Sequence, residues 1–318
     1  MKLLLIAETP VAGTVARMAQ HLNAIDGMTC RHLILRNYAH NAFAPQTPVM
    51  LAQRDWRAQL ATAIAEAEVV IAHNVVDSGL LAFIHSLKRP YHRYAYHLHS
   101  APGEPPQFTF HHWAQYRWDA LFAVAQGQQR FIKDAVPIAN IIADSVSTSI
   151  TRQADLLLPM LRSTSFRWSH KIHQDDITLL RRMTPATGID IRDIASVFGR
   201  ETVTHDELTY CLPSMRYVID DLHSGLIHQT AFEALKVGTL VFSAADPITI
   251  DAFCEAADCP PPPVLPVTCA ATTAETLCRL KGDAWRPLSE KAQAYGENYL
   301  GAARLANCML TRIRQALL

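Results

Sequence analysis

The sequence predicts an α/β protein made of two parallel-sheet halves in succession. Three observations lead there. Short apolar runs of strand length alternate with stretches of helical spacing. The alternation breaks once, near 145–162. It then restarts and continues to a helical C-terminus.

The first half opens with "KLLLIA" (2–7), a continuous apolar run of the kind found in a strand buried on both faces. "AGTVARMAQHLNAI" (12–25) follows with helical spacing, and "RHLILR" (31–36) is the second strand. A helix is predicted over 53–67. "EVVIAHN" (68–74), "RYAYHLH" (93–99), "ALFAVAQ" (120–126) and "IANIIA" (138–143) supply strands three to six. The stretch "DSVSTSITRQADLLLPM" loses the pattern and reads as a linker.

The second half restarts with "TSFRWS" (164–169) as a strand and "DITLLRRM" (176–183) as a helix. "IDIRDIASV" (189–197) alternates in polarity as a strand would, "HDELTYCL" (205–212) is a short helix and "MRYVID" (215–220) a strand. A helix over 225–236, stopped by Gly238, leads into a buried strand at 239–243. "PPPPVLPV" (260–267) is a rigid connector, and helices over 287–299 and 301–317 close the chain. The expected domains are 1–150 and 151–300, with 301–318 packing back on the first. A cleft is expected between them, with candidate residues just after the strands, where such sheets take ligands.

Composition narrows the function. The 318 residues are 49% apolar, and 29 basic residues balance 29 acidic ones. Nucleic-acid binding driven by bulk charge would call for a basic excess. The seven cysteines are odd in number and scattered, which does not make a disulfide framework. Cys254, Cys259, Cys269 and Cys278 lack the paired two-residue spacing of structural zinc, so no metal site is expected. "MKLLLIAETP" is too short in its apolar run for a signal peptide, and no run reaches membrane-span length. A soluble, cytoplasmic protein is the expectation. No G-x-G-x-x-G, Walker loop, G-x-S-x-G or H-E-x-x-H occurs, which argues against nicotinamide, flavin, P-loop and serine- or zinc-hydrolase chemistry.

The most specific stretch is "HSGLIHQTAFEALKVGTLVFSA" (223–244), where a single carboxylate, Glu233, sits among small and apolar neighbours. It resembles the donor-binding segment of nucleotide-sugar glycosyltransferases of the GT-B fold, above all their retaining, family-4-like branch. The matching residues are Glu233, Ala234, Leu235 and Gly238. The resemblance implies two Rossmann-like domains facing across a cleft, with Glu233 accepting hydrogen bonds from the ribose hydroxyls of the donor. A carboxylate suits a vicinal diol because it offers two acceptor oxygens.

More thinly, "TPVAGTVARMAQHLN" (9–23) is similar to the family's first loop and helix. "YAYHLHSAPGEPP" (94–106) is similar to its strand ending in a His near the transferred sugar. The resemblance therefore implies His99 as the catalytic candidate, with His73 and Gly13–Thr14 nearby. His97 is read as packed on the opposite face of its strand. Lys171 or Arg167, in "FRWSHKIHQDD", are the candidates for the diphosphate. A helix beginning near Gly225 and Leu226 would aim its N–H groups there, since negative charge builds on the departing phosphate. The acidic residue common in the retaining branch eight positions before the ribose-binding Glu is Gly225 here.

The expected activity is metal-independent hexosyl or pentosyl transfer from a nucleotide sugar, a co-substrate rather than a cofactor, to an acceptor hydroxyl on a glycan or small molecule. Two alternatives stay open: transfer to a modified base in DNA, as in viral enzymes of this fold, and a degenerate protein that binds a nucleotide sugar or a partner without turnover. The aromatic patch His111, His112, Trp113, Tyr116 and Trp118 reads equally as a stacking surface or as a core-packing segment.

Overall fold

Apolar runs that cannot face water on either side become central strands, and in this protein they form two parallel sheets. The computed structural model describes residues 1–36, 54–75, 77–100, 112–132, 134–143, 154–158, 171–200 and 203–318. The chain divides into two compact units. One holds Met1–Ile141, Glu255–Asp258 and Ala302–Leu318, and the other Ile142–Cys254 and Cys259–Gly301.

The first unit carries β1 (Lys2–Ala7), β2 (Thr29–Ile34), β3 (Val69–His73), β4 (Arg93–Leu98), β5 (Ala120–Val124) and β6 (Val136–Ile138). They form one sheet in the order β2-β1-β3-β4-β5-β6. The chain steps outward from β1 to β2, then crosses back to β3, so the helices on the two sides of that reversal fall on opposite faces. Leu4 and Ile6 of β1, with Val70, Ala72, Tyr94 and Tyr96, pack against the helices Trp56–Glu66 and Ser78–Ser86. The helices Thr14–Leu22 and Ala302–Leu317 cover the other face, packing on each other and on β2 and β6 respectively. The last helix buries Leu305, Met309, Leu310, Ile313 and Leu317, an i, i+4, i+5, i+8, i+12 stripe. Each such side chain contributes about 1.5–3 kcal/mol of burial.

The second unit carries β7 (Ala154–Leu158), β8 (Ile191–Asp193), β9 (Met215–Asp221), β10 (Leu240–Ser243) and β11 (Leu265–Pro266), in the order β11-β10-β9-β7-β8. Read from β8 this is the 2-1-3-4-5 order that the first sheet also shows. Both sheets therefore have a switch point beside their first strand, between β1 and β3 and between β7 and β9. The architecture is two Rossmann-like units, each a parallel sheet flanked by helices, as in the GT-B fold.

Several expectations shift. The stretch 145–162 is not all linker: β7 lies within it and pairs with both β8 and β9. Leu156 and Leu157 are fully buried, as in a strand covered on both faces. Its one charge, Asp155, accepts from Arg216 Nη1 at 2.7 Å and from the Asp190 N–H at 3.0 Å. The strand expected over 189–197 ends at Asp193. There the Asp193 carboxylate accepts from the Ser196 N–H and the Ser196 hydroxyl accepts from the Asp193 N–H, a capping box that starts a helix at Ile194. The connector 260–267 adds the two-residue edge strand β11. The sequence reading had no helix at Ser78–Ser86, Pro247–Ala257 or Ala270–Arg279. The strand expected over 164–169 lies outside the described residues.

The aromatic patch resolves in favour of packing. Trp113 is buried, stacks on Tyr96 with centroids 5.3 Å apart, and accepts at its carbonyl from Trp118 Nε1. His111 lies outside the described residues. All seven cysteines are free thiols. No helix among the described residues is long and apolar enough to cross a membrane.

Candidate functional site

In the second unit the candidates gather where β9 ends, beside the switch point. β9 finishes on two buried carboxylates, Asp220 and Asp221, which dictate the next turn. Asp221 Oδ1 accepts from the N–H groups of His223 and Ser224 at 2.8 and 2.7 Å, and Oδ2 takes the Ser224 hydroxyl. Asp220 Oδ2 accepts the His228 N–H at 3.0 Å. Burial raises the Asp221 carboxyl above the ordinary range, although His228 and Ser224 oppose the shift.

These bonds postpone the helix. It runs Gln229–Lys236 and not from 225, so Gly225 and Leu226 lie in the loop before it. Gly225 has φ +74°, a conformation open to glycine and strained for any side chain. Its carbonyl accepts from the Thr249 hydroxyl at 2.7 Å and the Asp246 N–H at 3.1 Å. The Leu226 N–H is turned to the Ser224 hydroxyl at 3.3 Å.

Glu233 is 5% exposed, so it is no ordinary solvated helix residue. Its Oε1 takes Gln229 Nε2 at 2.7 Å, one helical turn away, and His205 Nε2 at 2.6 Å. Its Oε2 takes no hydrogen bond among the described residues. The helix ends at Gly238, φ +72°, with the Thr239 N–H returning to the Ala234 carbonyl at 3.0 Å. The helix Arg286–Tyr299 packs on it through Gly296, where a Cβ would lie 2.5 Å from the Cα of Lys236.

Lys171 is buried, and its carbonyl accepts the Leu222 N–H at 2.8 Å, which brings it next to the turn after β9. Arg167 lies outside the described residues. A pair that the sequence reading missed stands at the same place: His223 Nε2 lies 2.5 Å from Asp176 Oδ2. Burial works to raise the Asp176 carboxyl, but the bonds from His223, the His173 N–H and the Ala270 N–H prevail and hold it below the ordinary value.

In the first unit the candidates line the carboxyl ends of β1, β3 and β4. Val11, Ala12 and Gly13 have φ of +50°, +54° and +73° in succession, a left-handed turn that launches the helix Thr14–Leu22. Such a conformation is costly for Val and Ala, and strain of this kind gathers at functional loops. Thr14 is buried at the first position of that helix.

His73 ends β3 and is fully buried. Its register partner on β4 is His97, and His99 follows two residues later. His97 does not face away: residues i and i+2 of an extended chain share a face, and the His97 and His99 rings stand 3.9 Å apart. His73 Nδ1 lies 3.0 Å from His99 Nε2. Asn74, φ +48°, fixes this edge by accepting the His99 N–H at 2.8 Å. Burial drives the imidazoles of His73 and His97 well below their ordinary pKa, helped by their neighbouring rings, and takes His99 down to about 3. The three are neutral, which suits them to donate or accept single hydrogen bonds or to ligate a cation, and makes His99 a weak base at neutral pH.

Beside the β1/β3 switch a cavity of about 250 Å3 is lined by Glu8, Arg36, Trp56, Arg57, Asp77 and Phe83, among others. Arg36 pairs with the buried Glu8, and Glu8 Oε2 also accepts the Asp77 N–H at 3.1 Å. The pocket thus has aromatic walls and a charged floor, a combination able to hold a polar molecule with apolar faces.

Solved structures share this fold at low sequence identity. HepE of Anabaena in complex with UDP aligns with TM-score 0.61 and 10% identity, over 99% of this chain and 100% of that one. A glycosyltransferase from Rickettsia africae aligns at 0.58 and 11%, over 99% and 98%. The UDP-GlcNAc 2-epimerase of Neisseria meningitidis bound to UDP-GlcNAc aligns at 0.53 and 12%, over 99% and 100%. This chain is similar to them in fold, and that fold is GT-B-like. No protein-family model matches the chain, and no curated protein is similar to it in sequence.

Proposed function

We propose that the protein binds a nucleoside-diphosphate sugar in its second unit and transfers the sugar to an acceptor hydroxyl held by its first. The observation that carries this reading is Glu233. It is buried on the helix that feeds β10, one oxygen is fixed by His205 and Gln229, and the other is left for a ribose hydroxyl. Holding a carboxylate by one oxygen pre-orders it and lowers the cost of binding a diol.

The fold adds support, since the similar Anabaena and Neisseria structures hold UDP, UDP-glucose or UDP-GlcNAc. In this reading the loop at Gly225–Leu226 lies along the diphosphate, with Lys171 and Arg167 as the cations opposing the charge that builds on the leaving group. No metal is needed on the diphosphate if these groups neutralise it. Contact with the phosphates through Leu226 requires its N–H to leave Ser224. In the first unit His99 and His73 stand by the sugar, Gly13–Thr14 border the donor phosphates, and the cavity at Trp56 receives the acceptor.

Calorimetric titration with UDP, dTDP and their hexose conjugates tests the reading, followed by turnover with and without glycan and small-molecule acceptors. Binding lost in Glu233→Ala and sugar moved only when an acceptor is present would support it. A donor epimerised or hydrolysed equally well without acceptor would replace transfer by chemistry on the donor alone. Binding without any turnover would leave a nucleotide-sugar-binding protein. No binding of any nucleotide would end the proposal.

A further inference from the structure

Three imidazoles converge on one face of the first sheet. His73 and His97 are neighbours in register on β3 and β4, and His99 returns to the same face just beyond β4. The ring centroids are 5.0 Å apart for His73 and His97, 3.9 Å for His97 and His99, and 5.2 Å for His73 and His99. Only one nitrogen pair, His73 Nδ1 and His99 Nε2, meets at hydrogen-bond distance. Among the described residues, His73 Nε2 and both ring nitrogens of His97 are buried with no partner. Buried polar atoms are nearly always satisfied, and three orphaned nitrogens on two adjoining rings point to a shared missing partner.

We propose that His73, His97 and His99 form a three-imidazole site for a divalent transition cation of the Zn2+ type. One nitrogen from each residue lies within 4.8 Å of those of the other two. Tetrahedral Zn–N bonds of about 2.0–2.1 Å would bring these atoms closer still, a movement within reach of small χ rotations. An all-imidazole donor set suits Zn2+, Co2+ or Ni2+. Mg2+ and Ca2+ seek oxygen ligands. The elements that present the site are rigid: two adjacent central strands, with Asn74 tying His99 to the end of β3. Three protein ligands leave the fourth tetrahedral position to water or to a ligand hydroxyl, reached from the side of His99, which is partly exposed. The inference departs from the sequence expectation of no metal and stands independently of the sugar-transfer reading.

Co2+ titration of the full-length, chelator-treated protein tests it. Wild type is expected to take up one equivalent with intense visible ligand-field bands, displaced by Zn2+, and Mg2+ should produce nothing. His97→Ala and His99→Ala should each weaken binding by at least about 100-fold. His223→Ala serves as control for adventitious binding at the His173–His223 ring pair and should keep the signal. Because His97 is fully buried, circular dichroism checks its variant, and the less buried His99 provides the second if that one fails to fold. Absence of bands in wild type, or bands that survive in the folded trio variants, would overturn the proposal.

Discussion

Nε2 of His205 lies 2.6 Å from Oε1 of Glu233. The histidine begins the helix His205–Cys211, whose start is fixed by a Thr204–Glu207 capping box. The carboxylate is thus oriented by a second helix as well as by Gln229 on its own.

Replacing Glu233 by Ala should weaken nucleoside-diphosphate-sugar binding by roughly 10–100-fold, the value of a hydrogen bond to a charged acceptor. His205→Ala should give a smaller loss, because Gln229 still holds Oε1. Isothermal titration measures both. Equal affinities in wild type and Glu233→Ala would remove the carboxylate from the site.

Gly296→Ala should destabilise the second unit by about 1–3 kcal/mol, the usual cost of overpacking. The added methyl meets the Lys236 backbone, which belongs to the helix that carries Glu233 and cannot yield as a flexible side chain could. Urea unfolding gives the stability change, and titration of the folded variant shows whether the shifted helix also loses donor affinity.

Trp56→Ala should raise the acceptor KM by about 10-fold or more, in line with the loss of an aromatic wall, while donor affinity stays unchanged. Trp56 meets Phe83 edge-on at 6.2 Å in the first unit, whereas the proposed donor residue Glu233 belongs to the second. Steady-state kinetics with each substrate varied in turn provides the check. An effect confined to donor KM would place the acceptor elsewhere.

Asp119 links acid stability to the first sheet. Its Oδ2 accepts from the Tyr94 N–H at 2.7 Å and Lys88 Nζ at 2.8 Å. Burial would raise this carboxyl, but these bonds outweigh it and the folded pKa is lowered. A depressed carboxyl stabilises the fold fully above its unfolded pKa of about 3.9 and loses that contribution as pH falls through the lower folded value. Wild type should therefore exceed Asp119→Asn in melting temperature by a constant margin at neutral pH, and the margin should shrink below about pH 4. A margin that persists into stronger acid would assign the effect to packing.

The strands β1, β3, β4, β5, β9 and β10 were legible because a strand buried on both faces must be a short apolar run, and such runs survive any rearrangement of their surroundings. β7 was not, because Ser- and Thr-rich neighbours hid a three-leucine run that only pairing with β8 and β9 makes a strand. The helix at Gln229 began four residues later than its periodicity suggested. Its start is set by the carboxylates of Asp220 and Asp221, which capture N–H groups of the preceding turn.

By itself the sequence determined the alternation of strands and helices, the two halves, and the Glu-Ala-Leu-x-x-Gly passage into a buried strand, since these follow from local hydrophobic pattern and turn chemistry. Only the tertiary structure decided which side chains meet. His205 reaches Glu233 across 28 residues and His73 reaches His99 across 26. Such contacts depend on strand order and register, and no local periodicity records which strand lies beside which.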